Sequence, residues 1–310
     1  MNKIFNTGLI FLVSVFLFSC EETEKIENFP MSPSKLVLNC QLNPDSVITL
    51  LLFKSLSVLD NAPNKNITTA KVELYKDNIL IASLPSANNQ FMYVFEGIKP
   101  EINHKYKIVA TAAGYEQIWA EVTVPQDVFP DKLSTSVSDT FTYVDYYYSG
   151  DTSYSTVGKI NVTLTDPAAS RNYYKLKIYY HNIYYEIQQS GDTITYISNY
   201  GMYTYNNNSM SPLVDFNLGF DYFFTDQYFN GSQVTIDIPI MYSGMERSIN
   251  VFAELISVSE EQYLYDKSKM VFNNNNGNPF TEPIQIYTNV NNGFGIFSGI
   301  NGNVQTVKFN

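Results

Sequence analysis

Side chains that do chemistry are scarce in this chain. Its 310 residues hold two histidines, two cysteines and one tryptophan. Two histidines, His104 and His181, are too few for a histidine-based metal cluster, and neither His-Glu-x-x-His nor Gly-x-Ser-x-Gly occurs. Two cysteines exclude a disulfide framework. Basic residues are also few, with 19 Lys and Arg against 30 Asp and Glu, for a net charge of −11. With no basic stripe to reverse that balance, the chain repels nucleic acid and anionic lipid surfaces, so no nucleic-acid partner is expected.

The one long apolar run lies near the start. Lys3 precedes Leu9–Phe18, and Leu17-Phe18-Ser19-Cys20 closes the segment with a small residue directly before a cysteine. A basic start, an apolar stretch and a small-residue processing site make a secretory signal over residues 1–20. With Cys20 just past the site it resembles a bacterial lipobox, in which the thiol is acylated and becomes the new N-terminus. The alternative is a secretory cysteine that seeks a disulfide, and its only partner is Cys40. In Leu36-Val37-Leu38-Asn39-Cys40-Gln41-Leu42 the even positions alternate as the apolar face of a strand, which places Cys40 in a core, away from a charged tail. Lipidation of Cys20 is therefore the expectation. Removing residues 1–20 takes away Lys3 and no acid, which moves the net charge from −11 to −12.

Residues 21–34 read as a solvated tether, acidic at first and then broken by Pro30 and Pro33. Glu21, Glu22 and Glu24 resemble the acidic cluster that, in surface lipoproteins of the Bacteroidota, follows the lipidated cysteine and is linked to export across the outer membrane.

The remainder is written in strands. Tyr (25) and Phe (21) are abundant, and Asn, Gly, Asp and Ser cluster between alternating runs. Residues 35–125 hold about seven short strands, with Lys76-Asp77-Asn78 as a hairpin turn, and read as an immunoglobulin-like or transthyretin-like β-sandwich. Residues 126–132, following Pro125 and containing Pro130, read as a linker. Residues 133–310 read as a second, larger, β-rich, sandwich-like domain with one short helix. That helix is expected at Ser259–Met270, where Ser259 with Gln262 forms a capping-box pattern and Glu260 and Glu261 complement the helix dipole. Asn273–Gly277 reads as a loop. Trp119 falls on the face of its strand opposite Ile118 and Ala120, where solvent, a partner or a domain seam are all open; the seam is the expectation.

An ordered set of segments resembles the Bacteroidota outer-membrane lipoproteins catalogued as domain-of-unknown-function family 4249, over nearly the whole mature chain. It comprises Lys35–Leu42, Ala70–Tyr75, Tyr106…Gly114-Tyr115…Val124-Pro125 and Asp166…Asn172-Tyr173-Tyr174. Further on come Phe224-Thr225-Asp226…Phe229-Asn230-Gly231, Val251–Val258, Tyr263 and Tyr265, Asn278-Pro279-Phe280, Glu282-Pro283 and Asn289–Phe297. Phe141–Tyr154 and Tyr203–Met210 depart from the pattern. The family has no settled activity. Its members are typically encoded beside TonB-dependent transporters, so the resemblance implies an accessory lipoprotein of the outer membrane, held there by its lipid and facing the cell surface.

Sites beyond Cys20 are less sharply drawn. The run Phe141–Gly150 has no sustained apolar face, so Tyr143, Tyr146, Tyr147 and Tyr148 are read either as a surface for a peptide or glycan ligand or as tyrosines covering a sandwich edge. The Gly293–Gly295 stretch is a second expected contact surface. Asp45-Ser46-Val47 and Asp192-Thr193-Ile194 resemble the Bacteroidota O-glycosylation signal, which marks Ser46 and Thr193; chance recurrence of so short a motif is the alternative. Asp139, Asp145 and Asp151 lack the dense spacing of a calcium loop and read as solvated surface. No catalytic residue, metal or cofactor is expected. The resulting expectation is a non-enzymatic accessory or binding protein beside a TonB-dependent transporter, with a structural or adhesive envelope protein, and then a hydrolase, as rivals.

Overall fold

Leu36, Leu38, Cys40 and Leu42 point one way from the first strand, β1 (Leu36–Leu42), and all four are buried. This alternation, a consequence of the two-residue strand period, recurs through the molecule. The structure is a computed structural model that describes residues 33–57, 65–88, 90–145, 151–168, 170–187, 193–204, 210–244, 249–275, 282 and 284–309.

The first half continues with β2 (Ile48–Lys54), β3 (Lys71–Lys76), β4 (Ile79–Leu84), β5 (Tyr93–Phe95), β6 (Lys105–Thr111) and β7 (Ile118–Thr123). Asp77 (φ 50) and Asn78 (φ 68) make the two-residue hairpin turn, because both short polar side chains tolerate the left-handed region. An antiparallel sheet in the order β4-β3-β6-β7 faces β1, β2 and β5. Between them lies a core of Leu38, Leu50, Leu52, Val72, Leu74, Tyr93, Phe95, Ile108, Ile118 and their neighbours. Tyr93 is buried there, yet its hydroxyl accepts from the Ala70 N–H (2.9 Å) and donates to the Ile67 carbonyl (2.9 Å).

The second half holds β8 (Pro130–Asp145), β9 (Asp151–Thr165), β10 (Tyr173–Ile187), β11 (Thr193–Gly201), β12 (Tyr203–Thr204), β13 (Phe216–Leu218), β14 (Asp221–Thr225), β15 (Gln233–Gly244), β16 (Ile249–Val258), α1 (Glu260–Asn275) and β17 (Phe294–Phe309). A sheet in the order β12-β15-β9-β8 covers one face of β10, β14, β16 and β17 over a second core that includes Ile160, Leu164, Tyr174, Leu176, Phe224, Ile238 and Leu255. On the opposite face α1 packs over Tyr173, Phe216, Phe223, Ile256 and Val258 through Tyr263. Among the described residues the chain is therefore mainly β with one α-helix, as its alternation requires.

The two halves share a sheet. Its order is β13-β14-β10-β16-β17-β1-β2-β5, with β11 added on β10. Phe294–Gly299 run parallel to β1, in register from Val37↔Phe294 to Leu42↔Gly299. Ile300–Phe309 then pair antiparallel with β16. Val290 and Phe297 sit in the first core although they are far along the chain. Residues 126–132, expected as a linker, lie strapped to β17: Asn301 Nδ2 donates to the Pro125 carbonyl (3.3 Å), Gln305 Nε2 donates to the Pro130 carbonyl (2.6 Å), and Val128 is buried in the second core.

Local structure departs from expectation at the end of α1. The helix runs on through Asn273, Asn274 and Asn275, where a loop was expected; Asn275 Nδ2 donates back to the Val271 carbonyl (2.8 Å), so its amide serves the helix. His181 lies inside β10, stacked on Phe252 at 4.1 Å, because the strand continues past it to Ile187. In the Gly293–Gly295 stretch the glycines are pressed inward, where a Cβ on Gly293 would lie 2.7 Å from the Leu36 carbonyl and 2.8 Å from Ile118, while Phe294 between them is exposed.

Candidate functional site

A cleft of about 480 Å³ opens where the halves meet. Val124, Pro125 and Gln126 form one wall, Ser170–Tyr173 the second, and Ser257–Glu261 the third. Each wall is fixed by the backbone around it. Asn103 N–H donates to the Val124 carbonyl (2.9 Å) and Val124 N–H to the His104 carbonyl (3.1 Å), which hold the end of the first sandwich. Ser259 caps α1, its Oγ accepting from the N–H groups of Gln262 (3.4 Å) and Gly299 (3.2 Å), so the helix starts against the shared strand.

Only half of the expected capping box forms. Gln262 does not reach back to Ser259, whose N–H donates instead to the Gly299 carbonyl (2.9 Å). The Gln262 side-chain oxygen, Oε1, accepts from Gln41 Nε2 (2.9 Å) and Ser298 Oγ (2.7 Å), and its Nε2 donates to Asp266 (2.7 Å). The residue thus ties the helix to β1 and β17 through a buried polar network.

Behind the second wall lie two buried aspartates. Asp166 accepts from the Tyr174 hydroxyl and from the Gly231 N–H (2.9 Å). Asp226 accepts from the Asn172 N–H (2.8 Å) and returns its own N–H to the Asn172 carbonyl (3.2 Å). Burial lifts the Asp226 carboxyl above its ordinary range against the Asn172 hydrogen bond. These are the residues of the Asp166…Asn172-Tyr173-Tyr174 and Asp226…Gly231 segments, and they turn out to be one clasp that shapes the Ser170–Tyr173 wall. Sequence spacing named the segments without showing that they meet.

The cleft's charges are mixed. The Arg171 guanidinium lies 5.4 Å from the centre of the Tyr173 ring. Tyr173 is buried, and burial together with the Glu260 carboxylate pushes its hydroxyl up to about 12. Burial also raises the Glu261 carboxyl. The Ser257 side chain is buried and its Oγ has no hydrogen-bond partner. The cleft sets donors and acceptors beside the apolar groups of Val124, Pro125 and Val258. The two carboxylates behind it are already engaged, Asp166 by the Tyr174 hydroxyl and the Gly231 N–H and Asp226 by the Asn172 N–H.

The sites named from sequence are elsewhere or undescribed. Cys20, Glu21, Glu22 and Glu24 lie outside the described residues, as do Tyr146, Tyr147 and Tyr148. Tyr143 pairs with Ser153 in the β8–β9 hairpin. Ser46 lies exposed in the turn before β2, its N–H donating to the Asn43 carbonyl (3.0 Å), and Thr193 opens β11 opposite Ile187. Cys40 is buried and free, with its thiol pushed up by burial. The Trp119 ring lies beneath Lys107 Nζ at 4.6 Å, and it is the backbone of Trp119 that reaches across, its carbonyl accepting from the Asn291 N–H (2.8 Å).

No curated protein matches the chain. The model of a family described as a domain of unknown function, DUF4249, matches residues 22–306, a span that holds every wall of the cleft and both strands of the shared pairing, and the chain belongs to that family.

Proposed function

We propose that this protein is a lipoprotein of the outer membrane, anchored through acylated Cys20, exposed at the cell surface, and working without catalysis as the accessory partner of a TonB-dependent transporter. The observation that carries the reading is the leader ending in Leu17-Phe18-Ser19-Cys20, followed at once by Glu21, Glu22 and Glu24. An anchored and exported protein with few groups for chemistry is suited to binding. In this reading the cleft bounded by Pro125, Arg171 and Glu261 holds the peptide or glycan ligand.

The test is purification of the lipidated protein, tagged at Asn310, from mildly solubilised native outer membranes. A transporter recovered in stoichiometric amount is the expected result. Recovery alone, or with wall or adhesion components, would replace the transport reading with a structural one.

A further inference from the structure

We infer that the cleft between the halves binds a neutral oligosaccharide, held by side-chain hydroxyl, amide and charged groups. The inference rests on the proposed reading of this cleft as the ligand site, and it chooses between the two ligands named there.

A peptide that joins a protein as an added strand needs a row of free backbone groups. In the walls of the cleft these groups are committed elsewhere. Asp226 takes both the N–H and the carbonyl of Asn172 (2.8 and 3.2 Å). Tyr173 is paired on both sides, with Thr225 of β14 and Val258 of β16. Val124 exchanges its two groups with Asn103 and His104, and Asn301 Nδ2 donates to the Pro125 carbonyl. Ser259 N–H donates to the Gly299 carbonyl, while its own carbonyl accepts from the Tyr263 N–H (3.1 Å).

A peptide held by apolar anchors needs an open apolar pocket instead. Val124 is 0% exposed and Val258 2%, so both are packed inward and leave the half-buried Pro125 ring for the C–H face of a sugar. What stands open is polar: Asn103, Thr123, Ser170, Arg171 and Glu260 are exposed lining residues. A sugar hydroxyl donates and accepts at once, and neighbouring amide, hydroxyl, carboxylate and guanidinium groups supply both roles. Deeper in the lining, Ser257 is 2% exposed and its Oγ has no hydrogen-bond partner. A ligand hydroxyl directed inward gives that oxygen the partner that the protein does not.

Charge selects against an acidic sugar. The N-terminus of α1 is the natural place for an anion, but Glu261 fills it from within, its carboxylate bonded to its own N–H and to Ser259. Glu260 is bonded to the Tyr173 hydroxyl. The lining thus carries two carboxylates against the one guanidinium of Arg171, in a chain of net charge −11, which disfavours an anion. Both carboxylates are already hydrogen-bonded within the protein, so a cation gains little from them. Neutral hydroxyl groups meet neither obstacle.

Equilibrium titration of the full-length lipidated protein tests this, in a detergent whose headgroup is not a sugar. The probes are linear hexasaccharides of glucose, xylose and mannose, an oligogalacturonate, and uncharged hexapeptides. At least one neutral hexasaccharide should bind, with an affinity that holds between about 0.05 and about 0.5 M salt. Ser257→Ala removes no hydrogen bond of the protein, so it should weaken binding about tenfold without lowering the denaturation midpoint. The double variant Thr123→Ala, Gln126→Ala, on the facing wall, should weaken it as well. A loss in either variant places the sugar in the cleft, and unchanged affinity in both overturns the inference. Binding of a peptide but no sugar, preference for the oligogalacturonate, or no binding by any probe overturns it too. Transporter recovery is scored separately: a failed titration with the transporter recovered leaves the accessory role standing, whereas sugar binding without a transporter leaves the site standing and removes that role.

Discussion

Asp226 is among the most deeply buried carboxyls of the molecule, and the Asn172 N–H it accepts does not offset the loss of water around it. Its folded form holds a proton more tightly than an unfolded aspartate does. Stability from this group is therefore fully present below the ordinary aspartate range and is lost as pH rises through the raised folded value. Asp226→Asn keeps an oxygen for Asn172 and removes the titration. The variant's denaturant midpoint should gain on the wild type between about pH 4 and about pH 7; a constant difference across that range would sink the assignment. Gly295 shows the opposite kind of residue, one whose role is absence. It lies in register with Leu38 at φ 102, and a Cβ there would run into the Leu38 carbonyl. The sequence displays two glycines around Phe294 but not the strand pressed against them, because that strand lies more than 250 residues earlier.

Among the elements, α1 shows how local signals divide. Ser259 and the two glutamates mark its start correctly, since capping and dipole effects depend on neighbours in sequence. Its C-terminal extension into three asparagines is held by the helix's own Val271 carbonyl, whereas the departure of Gln262 from the capping box depends on contacts supplied from β1 and β17. Gln262→Ala removes the acceptor for Ser298 and Gln41 and the donor to Asp266, and leaves buried polar groups unpaired. A loss of about 2–3 kcal/mol in chemical denaturation is expected. A cost within about 0.5 kcal/mol, the range of ordinary surface substitutions, would show that the network adds nothing to the helix's attachment.

For the whole molecule, the strands themselves were readable because alternation is local, whereas their partners were not. Nothing near Val37 points to Phe294. The parallel pairing they make is what turns two sandwiches into neighbours in one sheet, and α1, β1 and β17 into one polar network. The cleft was invisible for the same reason, being assembled from three distant stretches. Unfolding should accordingly be shared. Trp119, the single tryptophan, reports on the first half, and far-ultraviolet circular dichroism reports on both. Their denaturation curves should coincide, and two separated midpoints would show that the shared strand does not couple the halves.

The place of β17 also sets an order in time. Residues 36–124 contain nearly everything the first core needs, yet β1 keeps one edge open until residues 294–299 are made. Until then the early half waits with an unpaired apolar strand beside it. A pairing this distant in sequence makes folding slow and leaves a sticky intermediate behind. The step that ends this exposure is the docking of a single late strand.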